Sequence, residues 1–148
     1  MDKQKACYCG LYCDNCAVKV KVEPAARVLY NEMSQLGFAE IMSFFPNGEQ
    51  FWSFLKGIST DGICVSCKAG SGNPACQIRQ CAKAKKVEMC ALCDQYPCAH
   101  FTNFFEGYPM LKHDNALLRD KGWEAWGKLQ DARHAEGFGF AYDKKSQK

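Results

Sequence analysis

The chain has 148 residues, 47% of them hydrophobic, which is enough apolar material for a single folded domain with its own core. Ten Phe, six Tyr and three Trp exclude a zinc finger that consists only of metal and loops. The formal charge of +3 counts cysteines as neutral, whereas ligand thiols lose their protons on binding metal. The positive charge is therefore no indication of a nucleic-acid partner.

The cysteine content is the exceptional feature, at eleven residues. The N-terminal sequence lacks the apolar stretch of a signal peptide, and no apolar run is long enough to span a membrane. An odd number of cysteines also fits disulfide pairing poorly. We therefore expect a cytoplasmic, reduced, metal-binding protein with no membrane partner.

The first cysteine zone, residues 7–16, is followed by a helical and aromatic segment, residues 24–57. Pro24 suits the first turn of a helix and Gly37 its end. Asn47 and Gln50 resemble a capping box at the start of a second helix. The apolar residues at helical spacing are expected to face the core, namely Ala26, Val28, Leu29, Met33 and Leu36 in the first helix and Phe51, Phe54 and Leu55 in the second.

The second cysteine zone covers residues 64–98, and a second helical segment covers residues 99–136. Asn73 and Pro74 predict the start of a helix through ACQIRQCAKAKK, and Asp94 with Pro97 predicts another through CAHFTNFF. Two helices follow at roughly 109–121 and 123–136, with Trp126, Leu129 and Ala132 inward, and the final DKKSQK is expected to fray.

No stretch alternates with period two, so strands are expected to be few. The predicted fold is one mostly α domain over residues 1–148, with little β structure and with cysteine-rich, metal-binding loops.

Three C-x2-C pairs have the spacing of structural zinc sites, in which one tight turn supplies two of four tetrahedral ligands. They are Cys13/Cys16, Cys64/Cys67 and Cys90/Cys93. We expect two or more zinc ions, with an iron–sulfur cluster as the alternative because thiolates suit both. The predicted ligands are Cys9, Cys13, Cys16, Cys64, Cys67, Cys76, Cys81, Cys90, Cys93 and Cys98.

Two groupings of these ligands are open. In the first, the run from Cys64 to Cys81 completes a four-thiolate site, and the remaining six cysteines join the N-terminus to the middle of the chain. This needs Cys76 to lie in a first helical turn or a loop, because residues five apart are about 140° apart on a helix. In the second, Cys13/Cys16 pairs with Cys64/Cys67, and Cys76/Cys81 pairs with Cys90/Cys93.

Several other residues are not assigned as metal ligands. Cys7 is set aside as a spare thiol, since it lies only two residues before Cys9. His100 is interpreted as a boundary histidine rather than a ligand, and His113 and His134 as surface residues. The spacing Cys9-x3-Cys13-x2-Cys16 is that of radical S-adenosylmethionine enzymes, but the chain lacks the alternating strands and helices of their barrel.

The motifs together resemble a family of cysteine-rich prokaryotic proteins, domain of unknown function 3795. The matching stretches are CGLYCDNC at 9–16, CVSC at 64–67, CQIRQCAKAKKVEMCALCDQYPC at 76–98 and GWEAWGKLQDAR at 122–133. The resemblance implies metal binding through these cysteines and carries no activity.

The function expected from the sequence is a zinc-stabilised binding or scaffold protein of unknown partner, without catalytic turnover. The alternatives are an iron–sulfur redox or sensor protein and a small zinc enzyme with an open coordination position. Catalytic motifs are missing from the sequence. The basic run Arg79, Lys83, Lys85 and Lys86 is interpreted as a solvated helix face rather than a nucleic-acid-binding surface.

Overall fold

The computed structural model describes residues 1–141 and is mostly helical, as expected from the sequence. Within these residues, β structure is limited to two isolated bridges, Ala6 with Tyr12 and Cys16 with Phe140. The expected fraying of DKKSQK falls outside the described residues. No described helix is both long and apolar enough to cross a bilayer. The α-helices are α1 (Glu23–Gln35), α2 (Phe38–Ile41), α3 (Gly48–Thr60), α4 (Gln77–Ala84), α5 (Phe104–Gly107) and α6 (Met110–Ala135).

Helical turns, rather than extended segments, connect many of these helices. A π-helical turn, Val18–Val22, leads into α1. The 3-10 turns are Lys3–Lys5, Cys13–Asn15, Met42–Phe44, Cys90–Leu92 and Ala99–Phe101. Two of them, Cys13–Asn15 and Cys90–Leu92, fall inside C-x2-C pairs, which is the tight-turn geometry that brings two thiols to one side of the chain.

The long helix α6 organises the main core. It breaks at Gly122, whose φ of 76° and ψ of −176° are outside the helical region, so the two expected helices on either side of residue 122 are confirmed. Trp126 is fully buried and packs edge-on against Tyr12, with ring centroids 5.8 Å apart. Of its expected inward neighbours, Leu129 is half-buried and Ala132 is exposed, so the prediction for Ala132 is wrong.

A second apolar cluster lies under the second cysteine zone, where Ile78 and Ala82 of α4 pack against Cys90 and Phe101. The helix predicted from Asn73 and Pro74 starts only at Gln77, because the Asn73 side chain accepts a hydrogen bond from the Ala75 amide and closes a turn there instead. The helix expected through CAHFTNFF is present only as the 3-10 turn Ala99–Phe101 and the short α5.

Helices α1 and α3 form an antiparallel hairpin with a small core of their own. Three contacts show that the two helices run antiparallel. Glu23, at the start of α1, accepts a hydrogen bond from the Ile63 amide just after α3. Further along α1, Arg27 donates to the Ser59 carbonyl, and Tyr30 stacks near Trp52 with ring centroids 4.9 Å apart. The predicted start and end of α1 are confirmed, with Gly37 at a left-handed φ of 73° after the last turn.

Several side-chain predictions for this hairpin are wrong. Ala26 and Leu55 are buried, but Val28, Leu29, Leu36, Phe51 and Phe54 are all exposed. The physical reason is that α1 and α3 pack mainly against each other and make no extensive contact with α4, α5 or α6 in the described chain, so only one stripe of each helix is covered. Asn47 does begin α3, but at a φ of 58° and without a side-chain hydrogen bond, so the capping box is wrong.

Candidate metal-binding site

Polar side chains in the first half of α6 hold the backbone of both cysteine zones. Asn115 is fully buried and donates from Nδ2 to the Cys9 carbonyl at 3.0 Å and to the Tyr96 hydroxyl at 2.8 Å. Arg119 donates to the Ala91 carbonyl at 2.9 Å and to the Cys93 carbonyl at 3.3 Å. These two side chains of α6 therefore position two distant segments of backbone. One is at Cys9, about a hundred residues earlier in the chain, and the other is at Ala91 and Cys93, about thirty residues earlier.

The second half of α6 holds the turn between Cys13 and Cys16. Asn15 is fully buried and donates to the backbone and side-chain carbonyls of Gln130, at 3.0 and 3.1 Å. Gln130 donates in turn to Asp114 at 3.2 Å. Asp114 is itself buried and accepts two hydrogen bonds from the Arg133 guanidinium, which compensates its charge. No local pattern in the sequence predicts this network, because it joins Asn15 to a residue 115 positions later in the chain.

The first thiol cluster consists of Cys7, Cys13, Cys16, Cys64 and Cys67. The sulfurs of Cys7 and Cys13 are 3.5 Å apart. Cys7 also interacts by hydrogen bonding with Cys67, and the Cys64 thiol interacts electrostatically with Cys13 and Cys16. The cluster thus joins the N-terminal zone to the start of the second zone.

Hydrogen bonding within the first thiol cluster separates the protonation states of its members. The hydrogen bonds to Cys13 and Cys67, together with one to Cys9 outside this cluster, raise the pKa of Cys7, and burial adds to the effect. The same bonds lower the pKa of Cys13 and lower that of Cys67 to about 6. Cys7 is therefore the thiol of this cluster that most strongly keeps its proton, a position beside Cys13 and Cys67 that the sequence did not assign to it.

The second thiol cluster consists of Cys9, Cys76, Cys81, Cys90, Cys93 and Cys98. The Cys90 thiol interacts electrostatically with Cys9, Cys81, Cys93 and Cys98, and burial is the main cause that raises its pKa to about 12. Cys76 precedes the first turn of α4 and packs against the same apolar cluster as Cys90. The Cys90 amide donates to the Tyr8 carbonyl at 2.8 Å, which ties the two zones together here as well.

A small cavity lies within the second thiol cluster and is lined by Cys81, Cys90, Cys93 and Cys98, with Phe101 and Tyr96 around them. The cavity is small: the centre of a water molecule can move within about 20 Å³ of it. That is room for one water molecule or one ion. His100 is exposed at the edge of this cavity, and Lys85 approaches the Cys93 sulfur to 3.9 Å.

These contacts favour the second grouping for the first thiol cluster, because Cys13/Cys16 meets Cys64/Cys67. In the second thiol cluster the cavity is lined by Cys98, and not by Cys76, beside Cys81, Cys90 and Cys93. All eleven cysteines are free thiols. Between residues 1 and 141, no group of three or more Cys, His, Asp or Glu side chains has the arrangement of a formed metal site. The two thiol clusters are therefore groups of neighbouring donors, and their use as metal ligands remains a prediction.

The other candidate residues lie outside the two clusters. His113 and His134 are exposed, as predicted, and contact Asp114 and the Asp14 carbonyl through Nδ1. Lys83, Lys85 and Lys86 are exposed at the end of α4. Lys85 donates to Gln95 beside the second thiol cluster, which places its positive charge next to these thiols.

The fold and these clusters define the class: a mostly helical, cysteine-rich protein in which one long helix holds two groups of free thiols. The chain belongs to the family described as protein of unknown function (DUF3795), whose family model matches residues 5–103. This confirms the resemblance stated above. The matched span includes every cysteine and ends before α5, so it does not extend to GWEAWGKLQDAR at 122–133. Neither the curated proteins nor the solved structures gave a match.

Proposed function

We propose that the protein binds zinc through both thiol clusters and that the ions act as structural staples between its two cysteine zones. The observation that supports this most directly is the meeting of C-x2-C pairs that are far apart in sequence. Cys13 and Cys16 lie beside Cys64 and Cys67, about fifty residues later in the chain. Two such pairs provide the four thiolates of a structural zinc site.

The donor chemistry of the first thiol cluster fits this proposal. Cys13, Cys16, Cys64 and Cys67 would hold an ion, while Cys7 would lie beside Cys13 and Cys67 outside the coordination shell and donate its one proton to either sulfur. Such partners orient ligands and tune their basicity. Four of the five thiols are thus proposed as ligands, and the fifth, Cys7, is a hydrogen-bond partner of the ligands.

The second thiol cluster fits zinc by its size and its lining. The cavity within it has room for one ion, and four cysteines line it. Cys81, Cys90, Cys93 and Cys98 are the ligands we propose. Burial disfavours the Cys90 thiolate in the absence of a cation, and a bound divalent ion would reverse that preference by stabilising the ionised sulfur.

The function that follows is a binding or scaffold role without turnover, because four thiolates leave no open position for a substrate. Zinc bound in this way contributes folding free energy, since the sites do not exist in the unfolded chain. Removal of zinc by a strong chelator should therefore unfold the cysteine zones. A chelated protein that keeps its near-ultraviolet circular dichroism and its melting temperature would contradict the structural role.

Elemental analysis of anaerobically purified protein tests the proposal directly. We expect at least two zinc ions per chain, and one fewer in Cys64→Ser and in Cys98→Ser, each of which removes a proposed ligand from a different cluster. Cys7→Ser is the matched control and should keep the full count. Iron with acid-labile sulfide and visible absorption would establish the iron–sulfur alternative instead, and a protein free of both metals would refute metal binding.

A further inference from the structure

The α1–α3 hairpin carries most of the large apolar side chains that the structure exposes. Six of them make up what we call the apolar hairpin face, and none contributes to the hairpin's own core. They are Leu29 (46% exposed), Leu36 (72%), Phe44 (79%), Phe45 (51%), Phe51 (46%) and Phe54 (68%). Isolated exposed apolar residues are ordinary, but six on one hairpin call for a partner surface.

Helical periodicity places four of these residues on one side of the hairpin. Leu29 and Leu36 are seven residues apart and share a stripe along α1, while Phe51 and Phe54 are three apart and share a stripe along α3. Viewed along each helix from its N-terminus, both stripes are displaced from the inward-facing residues in the same rotational sense. Because the two helices run antiparallel, this places both stripes on the same side of the hairpin. The stripes therefore form a continuous surface across both helices.

The remaining two residues extend this surface at the end of the hairpin. Phe44 and Phe45 lie in and just after the 3-10 turn before α3. A groove of about 300 Å³ adjoins them and is lined by Phe38, Met42, Phe45 and Phe51. The hairpin end thus offers both a protruding ring, Phe44, and a groove of matching character, which is what a self-complementary interface needs.

The charged residues of α3 are kept off this face. By the same periodicity, Glu49 and Lys56 fall on the opposite side of the helix from Phe51 and Phe54. On α1, Glu32 lies three residues after Leu29 and four before Leu36, so one exposed carboxylate borders the apolar stripe of that helix. An apolar centre with charged groups at the rim is typical of homodimers, which have more apolar interfaces than transient complexes do.

We propose that the apolar hairpin face is the interface of a two-fold homodimer, in which two hairpins pair as a four-helix bundle. The six side chains expose roughly 600 Å² of apolar surface per chain, taking about 170 Å² for each full side chain. With the polar rim added, that approaches the roughly 800 Å² per partner buried in stable interfaces. Each helix is about 20 Å long, which is enough for three turns of packed contacts.

The test is sedimentation equilibrium of the full-length, zinc-replete protein in reducing buffer, where disulfide-linked dimers cannot form. The wild-type chain is expected to be a dimer. Leu36→Glu and Phe54→Glu should each weaken dimerisation at least about 100-fold, because the charge is buried twice in a two-fold interface. Both positions are solvent-exposed within one chain, so the hairpin itself should still fold, which circular dichroism will verify.

Val28→Glu is the matched control. Val28 is 63% exposed on the same helix but lies about 100° around it from Leu29, so this variant should dimerise like the wild type. If the wild-type protein is monomeric at every concentration, the proposal is refuted, even if the hairpin binds a different protein. It would equally be refuted if Leu36→Glu and Phe54→Glu remained dimers, or if Val28→Glu dissociated as they do.

Discussion

Replacement of Gly10 by alanine tests how α6 positions the cysteines. Gly10 lies between Cys9 and Leu11 at a φ of +103°, a conformation that side chains disfavour. A Cβ added there would lie 2.0 Å from Oδ1 and 2.8 Å from Cγ of Asn115. Because these are atoms of a fully buried side chain, they have little room to move aside. Gly10→Ala must therefore displace either the turn or Asn115.

The cost has two parts that the structure separates. The backbone conformation alone costs roughly 1–3 kcal/mol for a residue other than glycine. Displacing Asn115 also disrupts its hydrogen bonds to Cys9 and Tyr96, and buried polar groups left without partners cost about 1–3 kcal/mol each. We expect Gly10→Ala to lower the free energy of unfolding by roughly 3–6 kcal/mol, which corresponds to a melting temperature lower by at least about 10 °C.

Gly70→Ala is the matched control for backbone strain. Gly70 has nearly the same φ, +102°, but an added Cβ meets nothing within 4 Å. Urea denaturation of the metal-loaded proteins should show Gly10→Ala to be less stable than Gly70→Ala by about 2–3 kcal/mol, since each buried polar group left without a partner costs about 1–3 kcal/mol. In an Asn115→Ala background, which removes the clashing atoms, this difference should largely disappear. Equal destabilisation by Gly10→Ala and Gly70→Ala would refute the idea that Asn115 fixes the Cys9 turn.

Two further predictions concern the core. Asp114→Asn should cost about 3–5 kcal/mol in urea denaturation because it leaves the largely buried Arg133 charge without its partner, whereas Asp131→Asn, at an exposed site, should change stability by less than about 0.5 kcal/mol. Trp126→Ala should cost about 3–5 kcal/mol in the same assay, since the side chain is fully buried.

Sequence patterns predicted those features that depend on neighbouring residues. Gly37 ends α1 because a glycine readily takes a left-handed φ, and Gly122 breaks α6 for the same reason. The tight turns within the C-x2-C pairs are likewise set by a few residues. Trp126 was predicted to be inward because the spacing around it is helical and a large aromatic side chain is stabilised by burial.

The features that the sequence did not predict depend on contacts between distant segments. Helical spacing identified an apolar stripe on α3 but could not determine what covers it, and Phe51 and Phe54 are exposed because no other element within residues 1–141 packs there. The pairing of Cys13 with Cys67 rather than with Cys90 depends on how the chain returns to its N-terminal zone. Asn115 contacts a carbonyl 106 residues away, and nothing in its local sequence indicates that contact.

The arrangement around α6 explains why thiols and metal alone would not fix this fold. The segments that carry the cysteines are mostly loops and single turns, whose carbonyl groups need hydrogen-bond donors when they are buried. Asn115 and Arg119 provide those donors for the loops at Cys9 and Cys93. A zinc ion fixes only the sulfurs bound to it, and the backbone between them keeps its freedom unless other groups hold it. We therefore infer that α6, although it lies outside the span matched by the family, is needed to keep the two cysteine zones next to each other before any ion binds.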